Sequence, residues 1–212
     1  MKIVYKPGTA EIIEKKSRFI ADIAYVKTED EANDFIAQIK KRLWDCRHNC
    51  SAFVLGENAA FTRCSDDGEP SGTAGRPILD AILGADVTNV CVVVSRYFGG
   101  TLLGTGGLVR AYGQAAKEGL NSCTLCERLT GSELTIEISY DLVGKVQYLA
   151  AAERLFETGS DFSEKVKLSY MIPADRLDYI INKFTELSCG KALLTVKDPV
   201  NYIVADGKII LI

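Results

Sequence analysis

The chain has 212 residues, 47 % of them apolar and 25 % charged, with a net charge of −3. That is room for one large domain or two small ones with true cores, in the composition of an ordinary globular protein. The acidic balance excludes a uniformly basic nucleic-acid binder but leaves a local basic surface open, and no apolar run reaches membrane-spanning length.

The first residues, "MKIVYKPGTAEIIEKKSRFI", lack a continuous apolar centre and a small-residue cleavage site, so a cytoplasmic location without a membrane is expected. In that setting the seven cysteines read as free thiols. Residues 11–27 read as two strands, the second alternating at Phe19, Ala21, Ile23 and Tyr25. Residues 28–47 form a helix opened by Thr28 and Glu31, a capping box, with an apolar stripe at Ala32, Phe35, Ile36, Ile39 and Leu43. Its basic end, Lys40, Lys41, Arg42 and Arg47, suits the negative end of the helix dipole. It gains functional interest only if it shares a face with Arg96, Arg110 and Lys117.

Residues 49–65 read as a hairpin around Gly56-Glu57-Asn58, and 66–85 as a turn-rich loop entering a short helix. "TNVCVVVSRYF" is apolar without alternation, the pattern of a strand buried on both faces. "GTGGLVRAYGQAAKEGLNS" is a helix with Leu108, Tyr112, Ala115 and Gly119 inward and Arg110, Gln114 and Lys117 on another face. Near residue 130 the pattern restarts: strand 131–140, helix 141–158, strand 162–173, helix 174–190 closed by Gly190, and strand 191–197. If 158–172 holds two strands, this is β-α-β-β-α-β, a ferredoxin-like order. The expected division is therefore 1–130 and 131–212, an α+β chain, with the last residues forming an edge strand or packing across the two domains.

Two segments carry the candidate chemistry. "RYFGGTLLGTGGLVRAYG" places six glycines between a strand and a helix. It matches neither the dinucleotide fingerprint, since Val109 stands where the third glycine belongs, nor a P-loop. A helix start at Thr105 or Gly106 offers free amides to a phosphate, with Arg96 and Arg110 beside it; a tight strand-to-helix corner accounts for the same glycines. "SDDGEPSGTAGRP" sets Asp66, Asp67 and Glu69 within four residues. These could hold Mg²⁺ or move protons, or they could belong to a polar turn capped by Ser71 or Thr73. His48, the one histidine, reads as a structural or supporting residue, because Cys50 lies too far along the same strand to be activated by it. Cys123 and Cys126 lack the second pair that a zinc site needs, so no metal is assigned.

Together these motifs, with "HNCSAF" upstream, resemble the Impact/YigZ family over residues 10–125; one departure is Ser95 where threonine is usual. The resemblance implies an N-terminal domain like the second domain of small-subunit ribosomal protein five. It implies a ferredoxin-like C-terminal domain like domain five of elongation factor G. Eukaryotic Impact proteins regulate translation through the activator of a kinase that acts on initiation factor two, largely by another domain. The implied reading is an RNA-binding or translation-associated regulator whose partner is RNA or a ribosome-associated factor. Its phosphate contacts would be Arg96, Tyr97, Gly99, Gly100, Gly104, Gly106, Gly107, Arg110, Tyr112, Ser71 and Thr73, with Tyr97 or Tyr112 stacking a base if exposed. The alternatives are a metal-dependent enzyme acting on a phosphorylated small molecule through Asp66, Asp67 and Glu69, and a protein-interaction module. No catalytic residue, cofactor or oligomeric state is assigned.

Overall fold

The computed structural model describes residues 1–212, which divide into two compact units, Met1–Glu127 and Arg128–Ile212. In the first, chain order runs β1 (Lys2–Lys6), β2 (Gly8–Glu14), β3 (Ser17–Tyr25), α1 (Glu29–Arg42), β4 (His48–Leu55), β5 (Phe61–Ser65), α2 (Gly75–Gly84), β6 (Val90–Tyr97), α3 (Thr105–Ser122) and β7 (Thr124–Glu127). Five strands form one antiparallel sheet in the order β2-β3-β6-β4-β5.

The central strand β6 is covered on both sides, which is why its sequence does not alternate. Val90, Val92 and Val94 join Cys50, Ala52 and Ile23 under α2 and α3. Cys91 and Val93 join Phe53 and Leu55 under Ala32 and Ile39 of α1. Half of the capping box forms: the Thr28 hydroxyl accepts the Glu31 amide, while the Glu31 carboxylate accepts the amide of Lys27, one residue before the cap. Helix α3 approaches the sheet through Gly119, where a Cβ would collide with Ile23 and Ala21. The ribbon of β1 against β7, which takes in Cys126, was not legible in the sequence pattern.

The second unit runs β8 (Leu129–Ile138), α4 (Val143–Ala152), β9 (Phe156–Phe162), β10 (Val166–Pro173), α5 (Leu177–Leu187), β11 (Leu193–Val196), β12 (Val200–Ala205) and β13 (Lys208–Leu211). Strands β13-β12-β8-β10-β9 lie side by side, with β11 also on β8, and every pairing is antiparallel. Leu134, Ile136, Leu168 and Ile172 of the sheet pack under Val146, Ile180 and Phe184 of the helices. The helix expected over 141–158 ends at Ala152: Arg154 turns left-handed (φ 55°), and residues 156–162 leave to pair with β10. Gly190 closes α5 as expected, at φ 73°, its amide on the Thr185 carbonyl. The terminal residues form a hairpin at the edge, turned by Asp206 and Gly207, both at positive φ. No helix is long and apolar enough to cross a membrane.

Candidate functional site

The two glycine- and acid-rich segments meet at one end of the first unit's sheet. Register sets Phe19, Arg96 and His48 side by side on β3, β6 and β4, facing α2 and α3. Arg96 is only 6 % exposed. Its Nη1 donates to Glu69 Oε1 at 2.7 Å, and the Tyr112 hydroxyl from α3 donates to the same oxygen at 2.9 Å. A second nitrogen, Nη2, reaches Ser17 Oγ at 3.5 Å. The guanidinium carbon lies 5.6 Å from the Phe19 ring and 5.5 Å from the Phe98 ring. This is an Arg-carboxylate lock. A buried pair of this kind adds modest net stability, but losing either partner strands a charge at a cost of about 3–5 kcal/mol.

Around the lock the phenol and the thiols are held neutral. Burial, then the neighbouring Cys50 and Glu69, push the Tyr112 phenol far up, so it serves as a proton-bearing donor. Burial drives the Cys50 thiol up to about 12, and its Sγ donates to the Asp66 carbonyl at 3.0 Å. Burial likewise raises Cys46, whose Sγ donates to the Arg96 carbonyl at 2.9 Å. None of these thiols is an available nucleophile.

The acidic loop is spent on structure. Asp66 accepts the amides of Gly72, Ala74 and Gly75 at 2.8, 3.0 and 2.8 Å, capping α2 across its turn. The caps expected from Ser71 and Thr73 do not form: the Thr73 hydroxyl donates to the Pro70 carbonyl and Ser71 is exposed. Asp67 accepts the Asn49 amide at 2.7 Å and Lys40 Nζ at 2.6 Å. Its carbonyl accepts His48 Nδ1–H at 2.9 Å, so His48 is a partnered structural residue. The three carboxylates thus point at three separate partner sets, and no group of three His, Cys, Asp or Glu side chains converges on a metal position.

The glycine loop forms a tight strand-to-helix corner and leaves the first amides of α3 bare. Gly99 is a close approach: a Cβ there would collide with the Lys16 backbone, and its amide donates to Ser17 Oγ at 3.2 Å. Gly100 and Gly104 sit at φ 82° and 71°, a region that costs other residues strain. Leu108 N–H is the amide that takes the Gly104 carbonyl, and no side chain caps α3, so the amides of Thr105, Gly106 and Gly107 have no intrahelical acceptor. From this helix start runs a groove of about 610 Å³ lined by the cations Lys15, Arg110 and Lys117, by the carboxylates Glu14 and Asp80, and by Gly107. No carboxylate pairs with Lys15, Arg110 or Lys117.

Three expectations change. Arg96 does not flank the loop with a free charge, because Glu69 holds it. Tyr112 is fully buried and has no face for a base. Tyr97 donates its hydroxyl to Asp45 at 2.8 Å and lies 4.6 Å beneath the Arg18 guanidinium. The basic end of α1 packs on the opposite sheet face from α3, with Lys40 on Asp67 and Arg42 on Asp22, so it forms no common patch with Arg110 and Lys117. What the sequence reading missed is Lys15, whose only signal is the turn between β2 and β3.

Comparison with known proteins follows this division. The Impact N-terminal domain matches residues 15–120, and a domain of unknown function (DUF1949) matches residues 136–191. The IMPACT family member YvyE of Bacillus subtilis is 40 % identical over 89 % of this chain and 87 % of its own length. The IMPACT family member YigZ of Escherichia coli is 35 % identical over 85 % of this chain and 89 % of its own. The Protein IMPACT homolog of Saccharomyces cerevisiae is 35 % identical over 98 residues, 44 % of this chain and 37 % of that protein. A crystal structure of a hypothetical protein shares 33 % identity at a TM-score of 0.59, over 93 % of this chain and 97 % of the other.

Proposed function

This chain belongs to the IMPACT family, and from that premise we propose that it is a cytoplasmic, translation-associated regulatory protein that contacts RNA phosphates at the start of α3. The regulatory part rests on the family. The RNA part rests on one observation: an uncapped helix start opens onto a groove whose cations, Lys15, Arg110 and Lys117, have no carboxylate partner. Gly106 and Gly107 keep the first turn bare, so an oxyanion can reach the amides. Arg96, Glu69 and Tyr112 fix the loop in place from below and do not touch the ligand.

In the same reading, residues 1–130 form a domain like the second domain of small-subunit ribosomal protein five, and residues 131–212 a ferredoxin-like domain. The antiparallel order β11-β8-β10-β9, with α4 and α5 as crossovers, supports the second assignment. The RNA contact is confined to the first unit. On the second sheet Glu137 pairs with Lys165 and Lys167, and Glu133 with Lys197, so these lysines are already matched by carboxylates. The metal-dependent alternative lacks a converging acid set.

The test is RNA binding across a salt series for the parent protein and for Arg110→Ala and Lys117→Ala. Binding should weaken uniformly across sequences, and the log–log salt slope should fall by about one for each phosphate contact removed. No binding at low salt, or an unchanged slope in both variants, overturns the RNA reading.

A further inference from the structure

A second cavity, of about 240 Å³, lies at the end of the Phe19–Arg96–His48 row and is lined by Arg47, His48, Arg96, Phe98 and Leu102. Three features set it apart from a surface dimple. First, Arg96 Nε is a fully buried donor with no hydrogen-bond partner, on a side chain whose other nitrogens are bonded to Glu69 and Ser17. An orphaned buried donor is rare, and its desolvation cost is recovered only when an acceptor reaches it. Second, the cation at the mouth is uncommitted: Arg47 is exposed and no carboxylate pairs with it. Because His48 Nδ1–H is fixed on the Asp67 carbonyl, the remaining ring nitrogen, Nε2, is a lone-pair acceptor in that tautomer and offers a ligand a place for a hydroxyl, not for an anionic oxygen. Third, the cover is apolar and lightly held. Phe98 is 49 % exposed and Leu102 82 % exposed, and Phe98 is one of two rings, with Phe19, against the Arg96 guanidinium.

We propose that this cavity binds a small organic oxyanion, a phosphate monoester or a carboxylate carried on a flat apolar body. The oxyanion sits against Arg47, with His48 at its edge, and reaches Arg96 Nε as Phe98 and Leu102 swing aside. The flat body then stacks on the Phe98 ring. Glu69 already balances the charge of Arg96, so Arg47 supplies the net attraction for the anion. The volume lies below the roughly 300–1,000 Å³ of pockets for drug-sized ligands, which limits the body to about one ring. The site is separate from the α3 groove and does not need Arg110 or Lys117.

His48 is the only histidine in the chain, so its imidazole proton resonances report on this cavity alone. Phenyl phosphate, benzoate, inorganic phosphate and phenol are titrated separately into the full chain. Phenyl phosphate or benzoate should shift the His48 resonances saturably, and which of the two binds tighter identifies the oxyanion. Inorganic phosphate and phenol should each bind at least about tenfold more weakly, because each lacks one half of the recognition. Arg47→Ala removes an exposed side chain and leaves the fold intact; it should weaken the favoured probe by about tenfold or more. Phe98→Ala should weaken that probe while leaving inorganic phosphate unchanged. The proposal is overturned if neither ring-bearing anion produces a saturable shift, or if binding is unchanged in both variants.

Discussion

Asp66 does with one carboxylate what a helix start usually obtains from an adjacent hydroxyl. Burial alone would raise its carboxyl, but the amides of Gly72, Gly75 and Ala74 together outweigh that and hold it below its ordinary value. A carboxyl lowered in the folded state contributes stability that is fully present above its unfolded pKa, about 3.9, and is lost as pH falls through the folded value. Asp66→Asn should therefore unfold at lower urea than the parent at pH 7, by about 1 kcal/mol or more. The gap between the two proteins should close as the pH falls below 4 towards the acid limit. A gap that persists unchanged at low pH would mean that shape, not charge, is what Asp66 supplies. At this scale the sequence announced that Asp66, Asp67 and Glu69 mattered but not how. Their partners lie at Gly75, Asn49 and Arg96, on three other elements, and only the closed sheet shows that the acids diverge.

Helix α3 is the element on which both the lock and the groove depend, and Gly119 sets its distance from the sheet. Gly119→Ala adds a residue with a better helix propensity, by about 1 kcal/mol. Yet its methyl would collide with Ile23 and Ala21, and overpacking costs about 1–3 kcal/mol. The expected outcome is a lower urea midpoint. In α4, Gly144→Ala, where a Cβ meets nothing within 4 Å, should leave the midpoint unchanged or raise it. An unchanged midpoint for Gly119→Ala would show that α3 can back away without loss. The legible elements were those whose burial leaves a period: α1 with its capped stripe, β6 with its unbroken apolar run, β10 with its alternation. The illegible ones lack that trace. Every residue of β9 is exposed, so it carries no alternation: its first residues read as the tail of α4, and the rest enters only as the first of two strands allowed over 158–172. The β1–β7 ribbon is held by backbone pairing between residues more than a hundred positions apart, which no local pattern reports.

At the scale of the molecule, each unit keeps its own core. Cys50, Tyr112 and their neighbours pack in one unit, and Leu134, Ile172 and Phe184 in the other. All seven cysteines are free, and their environments sort them. Cys46, Cys50 and Cys91 are buried, Cys123 and Cys126 are half-buried, and burial lifts Cys123 to about 11. Cys64 on β5 and Cys189 after α5 are the two exposed thiols, one in each unit. The native chain therefore comes with a pair of chemical handles in place. A maleimide or a disulfide reagent should modify two thiols quickly, the half-buried Cys123 and Cys126 more slowly, and the three buried thiols only on unfolding. A third fast thiol would mean that one of the shielded sites opens on the timescale of the reagent. Donor and acceptor dyes on Cys64 and Cys189 turn the wild-type protein into its own molecular ruler. Adding RNA or a small anion could then be followed as a change in energy transfer between the two halves, without a single engineered residue.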